Sequence, residues 1–242
     1  MGGTEEPTEV TAGYAPNSAA VADHQWTIGF LLFRHLPPPM AAQPVPETVL
    51  CRDPVLEPVV NRYDLEPLDT NVDEFERLTV SIINQQLSTA SATAVRGRVF
   101  DALEGEVTPH RVLEAADEPL LEAGLSGQKL RYLRNVAEAF LAADFSREGL
   151  ADRSNDEVRE ALTAITGVGD WTARMYLIFV LHRPDVLPLG DLAVRRGIEA
   201  LYNDGEPLSR ATMREIADPW RPHRSLATRY IWAYYESDDR PT

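Results

Sequence analysis

The sequence predicts an all-α protein. Three observations carry that expectation. From Asp53 onward, apolar residues recur at the three- and four-residue spacing of a helix face. Ser, Thr and Asp stand just ahead of several of these stretches, where N-caps belong. No internal repeat and no sustained period-two alternation interrupts them. Short connections between helices then imply a compact bundle.

Residues 1–45 differ from the rest. They are rich in Gly, Pro, Thr and Ala, have no sustained period and end in Pro37-Pro38-Pro39. A disordered or loosely docked extension is expected. The alternatives are a strand or small β element, or a gene start placed upstream of a true initiator at Met40. The apolar run Trp26–Phe33 spans about eight residues, too short to cross a bilayer. It also lacks the basic start and cleavage pattern of a signal peptide.

Residues 46–242 form the main domain. Asp53-Pro54 fits an N-cap with proline at the first helical position, leading through Leu56, Val59 and Val60. Asp73–Gln85 places Phe75, Leu78, Ile82 and Ile83 on one face. Ser88 can cap Thr89–Leu103, and Thr108 can cap a short helix ending at Ala115. Gly124-Leu125-Ser126 breaks the chain before Gln128–Ala142, with its stripe of Leu130, Leu133, Ala137, Phe140 and Leu141. Ser154-x-x-Glu157 reads as a capping box opening the helix Asn155–Ala164. Helices over Asp170–His182, Leu192–Tyr202, Arg210–Trp220 and Pro222–Tyr235 follow.

Between two of these helices lies Gly167-Val168-Gly169. Two glycines around one apolar residue permit a tight turn, because Gly takes positive φ without steric cost. The turn delivers main-chain N–H groups to the start of the next helix, a ready phosphate site. Leu187-Pro188 then closes a linker. Asp191 opens the next helix 22 residues past the second glycine, beside Arg195 and Arg196. Position alone leaves two roles open for Asp191, helix cap or reactive carboxylate.

Composition bounds the chemistry. Hydrophobic content of 44% with 25% charged residues describes a globular chain. The single cysteine, Cys51, excludes an internal disulfide framework, a four-cysteine zinc site and an all-cysteine iron–sulfur cluster, and points to a reducing cytoplasm. His110, His182 and His223 lack metal-ligand spacing. Lys and Arg together number 23 against 38 acidic residues, a net charge of −15, and Lys129 is the only lysine. A nucleic-acid binder ordinarily carries a basic footprint. Either this chain meets no polyanion, or an acidic surface covers most of it while arginines gather on one face. Acid-rich, lysine-poor surfaces suit a high-salt cytoplasm, where the Debye length falls to about 3 Å, and a halophilic archaeal origin is the favoured expectation.

Four pieces taken in order carry a family resemblance: Ile83-Asn84-Gln85-Gln86, Ile165–Ala173, Leu187-Pro188 with Gly190-Asp191, and Trp220–Trp232. Over roughly residues 53–236 the chain resembles the helix-hairpin-helix (HhH-GPD) DNA glycosylases, nearest the 3-methyladenine DNA glycosylase II branch. The resemblance implies two helical lobes with a DNA cleft between them, one of residues 73–190 carrying the hairpin 162–173, the other of 46–72 with 191–242. It implies a base-excision enzyme acting on double-stranded DNA with damaged bases, as a monomer in the nucleoid. Asp191 becomes the catalytic carboxylate, stabilising an oxocarbenium-like sugar and orienting water. Relatives that also cut the strand carry a lysine where Trp171 stands, so a monofunctional glycosylase without lyase activity is expected. Those relatives often hold an iron–sulfur cluster, which this chain cannot build.

The same resemblance assigns Trp171 and Trp232 to an aromatic base pocket, with Met175 and Leu192 where two tyrosines are expected. It assigns the wedge that fills the flipped-out gap to Gln86, with Leu87 as the alternative. Thr166, Gly167, Val168, Gly169 and Thr172 would grip phosphate, with Arg195, Arg196 and Arg224 as further contacts. No organic cofactor and no side-chain metal site are implied, only a monovalent Na⁺ or K⁺ on the carbonyls of Ile165–Val168. The readings carried alongside are a same-fold glycosylase for oxidised or deaminated bases, and a non-catalytic hairpin module that only binds DNA.

Overall fold

A computed structural model of the chain describes residues 45–237. The expectations for the N-terminal extension therefore lie outside the described residues. Within them the chain is helical, with no strand. The helices are α1 (Pro46–Leu50), α2 (Glu57–Arg62), α3 (Glu74–Asn84), α4 (Thr89–Ala102), α5 (Pro109–Glu114), α6 (Asp117–Glu122), α7 (Gly127–Ala142), α8 (Asn155–Thr163), α9 (Asp170–Phe179), α10 (Leu192–Tyr202), α11 (Arg210–Ile216) and α12 (Arg224–Glu236). A 3₁₀ turn at Asp218–Trp220 follows α11.

The caps that start these helices are local chemistry. Asp73, Ser88, Thr108, Ser126 and Ser154 each accept a main-chain N–H from their own first turn. Ser154 and Glu157 complete the capping box. Several boundaries differ from the sequence expectation. Asp53 caps only a turn, through Val55 N and Leu56 N, and α2 starts at Glu57. Its other carboxylate oxygen accepts from Tyr202 Oη at 2.7 Å and Trp220 Nε1 at 2.8 Å, tying the turn to α10 and the 3₁₀ turn. The short helices α1 and α6 carry too few residues for a visible stripe. α9 stops at Phe179 rather than His182, because the chain folds into a left-handed cap in which Arg183 N closes back onto Leu177 O at 2.8 Å. The chain leaves through His182 at φ +51°.

Apolar side chains gather in two clusters. The first joins α3–α9 and is built around Leu78, Ile82, Leu133, Leu162 and Ile178. The second joins α1, α2 and α10–α12 around Leu50, Leu56, Val194, Trp220 and Ile231. Trp232 packs against both.

Within the second cluster α10 and α12 approach closely at Gly197, where an added Cβ would lie 2.4 Å from Ile231 Cγ2 and 3.3 Å from its carbonyl oxygen. Ile231 is β-branched and fully buried, so it has little room to yield. Gly197→Ala is expected to lower stability by about 1–3 kcal/mol through overpacking, against a helix-propensity gain of about 1 kcal/mol. Gly97→Ala in α4, where nothing lies within 4 Å of an added Cβ, should show that propensity gain alone. Denaturant midpoints of the two variants check both signs.

Candidate active site

The hairpin runs from Ala164 to Gly169. Gly167 sits at φ +111°, and a Cβ there would fall 2.4 Å from Tyr132 Cγ, so glycine is required on both counts. Gly169 has a different reason to be glycine. It lies at φ −88°, ψ 169°, extended backbone any residue adopts, with open space beside it. As N-cap of α9 it supplies no side-chain acceptor, which leaves the first-turn N–H groups available to a ligand. By contrast α3, α4, α7, α8 and α10 are capped by their own side chains.

The Val168 N–H closes the turn onto Ile165 O at 3.0 Å. Thr172 is buried, which leaves only its main-chain N–H for a phosphate. The carbonyls are braced by amides: Asn135 Nδ2 donates to Thr166 O at 3.0 Å, and Gln85 Nε2 to Gly167 O at 3.1 Å. Thr166 is exposed beside them. Asp170, the first residue of α9, would repel an anion were it unpaired. Partial burial works against its charge, but Arg174, and then Arg159, outweigh that and hold its carboxyl below the usual carboxylate range.

Asp191 is the N-cap of α10, with Oδ1 accepting from Val194 N at 2.9 Å. It also receives two indoles: Trp171 Nε1 donates to Oδ2 at 2.7 Å and Trp232 Nε1 to Oδ1 at 3.2 Å. The carboxylate is thus fixed by neutral donors, and no cation among the described residues is bonded to it. Arg195 supports the loop leading into it, donating to Leu189 O at 3.1 Å and Gly190 O at 3.3 Å.

Beside this carboxylate, α3 and α9 enclose a cavity of about 520 Å³. Trp171, Met175 and Phe179 supply one wall, spaced four residues apart on α9. Arg77, Val80, Ser81 and Asn84 supply the other at helical spacing on α3, and Gln85 and Gln86 stand at the end of that helix. Leu192 and Trp232 do not line it. Leu192 is exposed. Trp232 stacks behind Phe179 at 5.7 Å between centroids and 17° between planes. Arg77 also lies over the Phe179 ring, 5.7 Å from its centroid. Trp171, 45% exposed, is therefore the ring left open to a ligand. Phe179 and the α3 wall were missed in the sequence. The signal for Phe179 was present, since it follows Met175 at i+4 on the same helix face.

At the turn after α3, Gln86 is exposed at φ +58°, whereas Leu87 is half-buried and packs against the first cluster. Lys129, distant in sequence, reaches this same turn, with Nζ donating to Ile83 O at 2.7 Å. Burial lowers its pKa. It does not line the cavity. The arginines divide. Arg196 pairs with Glu199 at 2.9 Å, and Arg224 makes a fork onto Asp185 at 2.5 and 3.0 Å. Both already hold a carboxylate, and Arg224 is half-buried with its fork occupied. Among the described residues no group of three or more His, Cys, Asp or Glu is arranged to hold a metal, and no helix is long and apolar enough to cross a membrane.

Two helices joined by a glycine turn, the second uncapped, and a lone carboxylate opening a third helix beside a partly open aromatic cavity define a helix-hairpin-helix protein with a candidate site. Residues 79–222 match the family described as HhH-GPD superfamily base excision DNA repair protein, and the chain belongs to that superfamily. It is 30% identical to the DNA-3-methyladenine glycosylase of Saccharomyces cerevisiae over 208 residues, 79% of this chain and 70% of that one. The crystal structure of a DNA-3-methyladenine glycosidase from Bacillus halodurans matches with a TM-score of 0.72 at 32% identity, covering 80% of this chain and 91% of that one. The Schizosaccharomyces pombe 3-methyladenine DNA glycosylase in complex with abasic DNA matches with a TM-score of 0.71 at 27% identity, covering 81% and 99%.

Proposed function

We propose that the chain is a monofunctional DNA glycosylase of base excision repair that hydrolyses the N-glycosidic bond of alkylated purines of the 3-methyladenine type. The observation that carries this reading is Asp191, held between the Trp171 and Trp232 indoles and a chain neighbour of the exposed Leu192. The two apolar clusters are read as two lobes, with duplex DNA entering between them and its backbone meeting the uncapped start of α9. Gln86 fills the gap left by the extruded nucleotide. The flipped base enters the α3–α9 cavity, and its electron-poor ring stacks on Trp171.

Asp191 then steadies the positive sugar as the C1′–N bond breaks, with the electron pair leaving on the base. The same carboxylate directs a water to C1′ and takes its proton. Free base and an abasic site are the products. An alkylated base leaves neutral, so no separate acid is required. Amide donors from Gln85 and Asn135 already brace the hairpin carbonyls where the family resemblance implies Na⁺ or K⁺, and no step here passes through such an ion. The enzyme works as a monomer without an iron–sulfur cluster, on DNA in the nucleoid. The acidic, lysine-poor composition suits a halophilic, salt-rich cell interior.

The test is incubation of the enzyme with methylated duplex DNA, followed by identification of the released bases in low and in molar salt. Strand breaks are scored with and without alkali. Release of 3-methyladenine with breaks only after alkali is expected. Breaks without alkali would assign lyase chemistry, with Lys129 as the only lysine to examine, and absence of released base would reject the enzyme reading.

A further inference from the structure

A second cavity, about 550 Å³, lies between α8 and α9 on one side and α11 with the Asp185–Gly190 linker on the other. It adjoins the site, since Asp170 and Gly190 are among its walls. Six arginines and three aspartates line it, in a chain whose net charge is −15. Each aspartate is already matched. Asp170 pairs with Arg159 and Arg174, Asp185 with Arg221 and Arg224, and Asp156 with Arg159.

The remaining two, Arg210 and Arg214 on α11, form no ion pair with any described residue. Arg214 makes one weak bond at 3.4 Å to Arg210 O, and both side chains are exposed. Residues four apart on a helix stand about 6 Å from each other, close enough for two guanidinium groups to address neighbouring phosphates of one strand. A guanidinium fork matches phosphate oxygens in pairs. Keeping such a positive groove on an otherwise acidic molecule has a use only if an anion visits it.

We propose that this groove is a second phosphate track, in which Arg210 and Arg214 hold the sugar–phosphate backbone of the duplex flanking the lesion. The inference rests on the glycosylase reading above, because it takes duplex DNA as the ligand. It extends the contact from the hairpin across Gly190 to α11. It also accounts for how a chain of this charge holds a polyanion without a basic surface.

The test uses the full chain and duplexes carrying one abasic site, with dissociation constants measured across a salt series. For Arg210→Gln with Arg214→Gln, the slope of log K against log salt is expected to shallow by about 2, roughly one per lost contact. Arg210→Lys with Arg214→Lys should retain most of the slope, since charge is kept. Arg52→Gln, exposed and outside the groove, should leave the slope unchanged. An unaltered slope in the double glutamine variant would overturn the proposal. So would an equal change in Arg52→Gln. Failure of the wild type to bind abasic duplex or release base would instead strike the underlying function.

Discussion

Asp191→Asn is expected to reduce base release by about 10²- to 10⁴-fold, the range typical of losing a positioned acid–base or charge-stabilising group, while the protein stays folded and binds abasic duplex as before. Asparagine is as good an N-cap as aspartate. Its carbonyl oxygen can still accept the Val194 N–H and the Trp232 indole that now meet Oδ1. The amide nitrogen would then face Trp171 Nε1, a donor against a donor, where Oδ2 now accepts at 2.7 Å. Because Trp171 is 45% exposed, its N–H can turn to water, and the stability change should stay near or below about 1 kcal/mol. Thermal unfolding and abasic-DNA binding, measured beside base release, separate the roles. Equal loss of fold and activity would leave Asp191 only its capping role. Unchanged turnover would remove it from the chemistry.

The helices were legible because their information is local. Ser88, Thr108 and Ser154 cap the helices they precede, and the stripe Phe75, Leu78, Ile82, Ile83 is buried as its spacing demands. α6 was not legible. Six residues with one buried side chain, Leu120, make less than two turns of pattern. The Asp191 carboxylate was legible as a position but not as an environment. That two indoles reach it, one from the hairpin helix and one from α12, depends on how the two apolar clusters pack, and no spacing in the chain encodes this. The same holds for the arginines. Arg224 reads as a phosphate contact in sequence and is engaged by Asp185 across 39 positions, while Arg210 and Arg214, which carried no motif, line a groove without forming an ion pair among the described residues.

The two hairpin glycines should fail in different ways when replaced. Gly167→Ala puts a methyl 2.4 Å from Tyr132 Cγ at φ +111°, where neither the backbone nor the ring can yield locally. Backbone strain of about 1–2 kcal/mol adds to overpacking of about 1–3 kcal/mol. The turn must shift to relieve this, which carries Gly167 O away from Gln85 and disturbs the start of α9. Stability and abasic-DNA affinity should therefore fall together, the latter by tenfold or more on the scale of about 1.4 kcal/mol per decade. Gly169→Ala meets nothing within 4 Å at an ordinary φ of −88°, so unfolding should scarcely change. Its methyl instead projects into open space at the start of α9. Should phosphate sit there, affinity falls while stability holds, by an amount comparable to losing one charge-assisted hydrogen bond, about 1.5–3 kcal/mol. A Gly169→Ala protein that binds abasic duplex like the wild type would move the phosphate grip away from the α9 N-terminus. The loss seen in Gly167→Ala would then be a matter of folding alone.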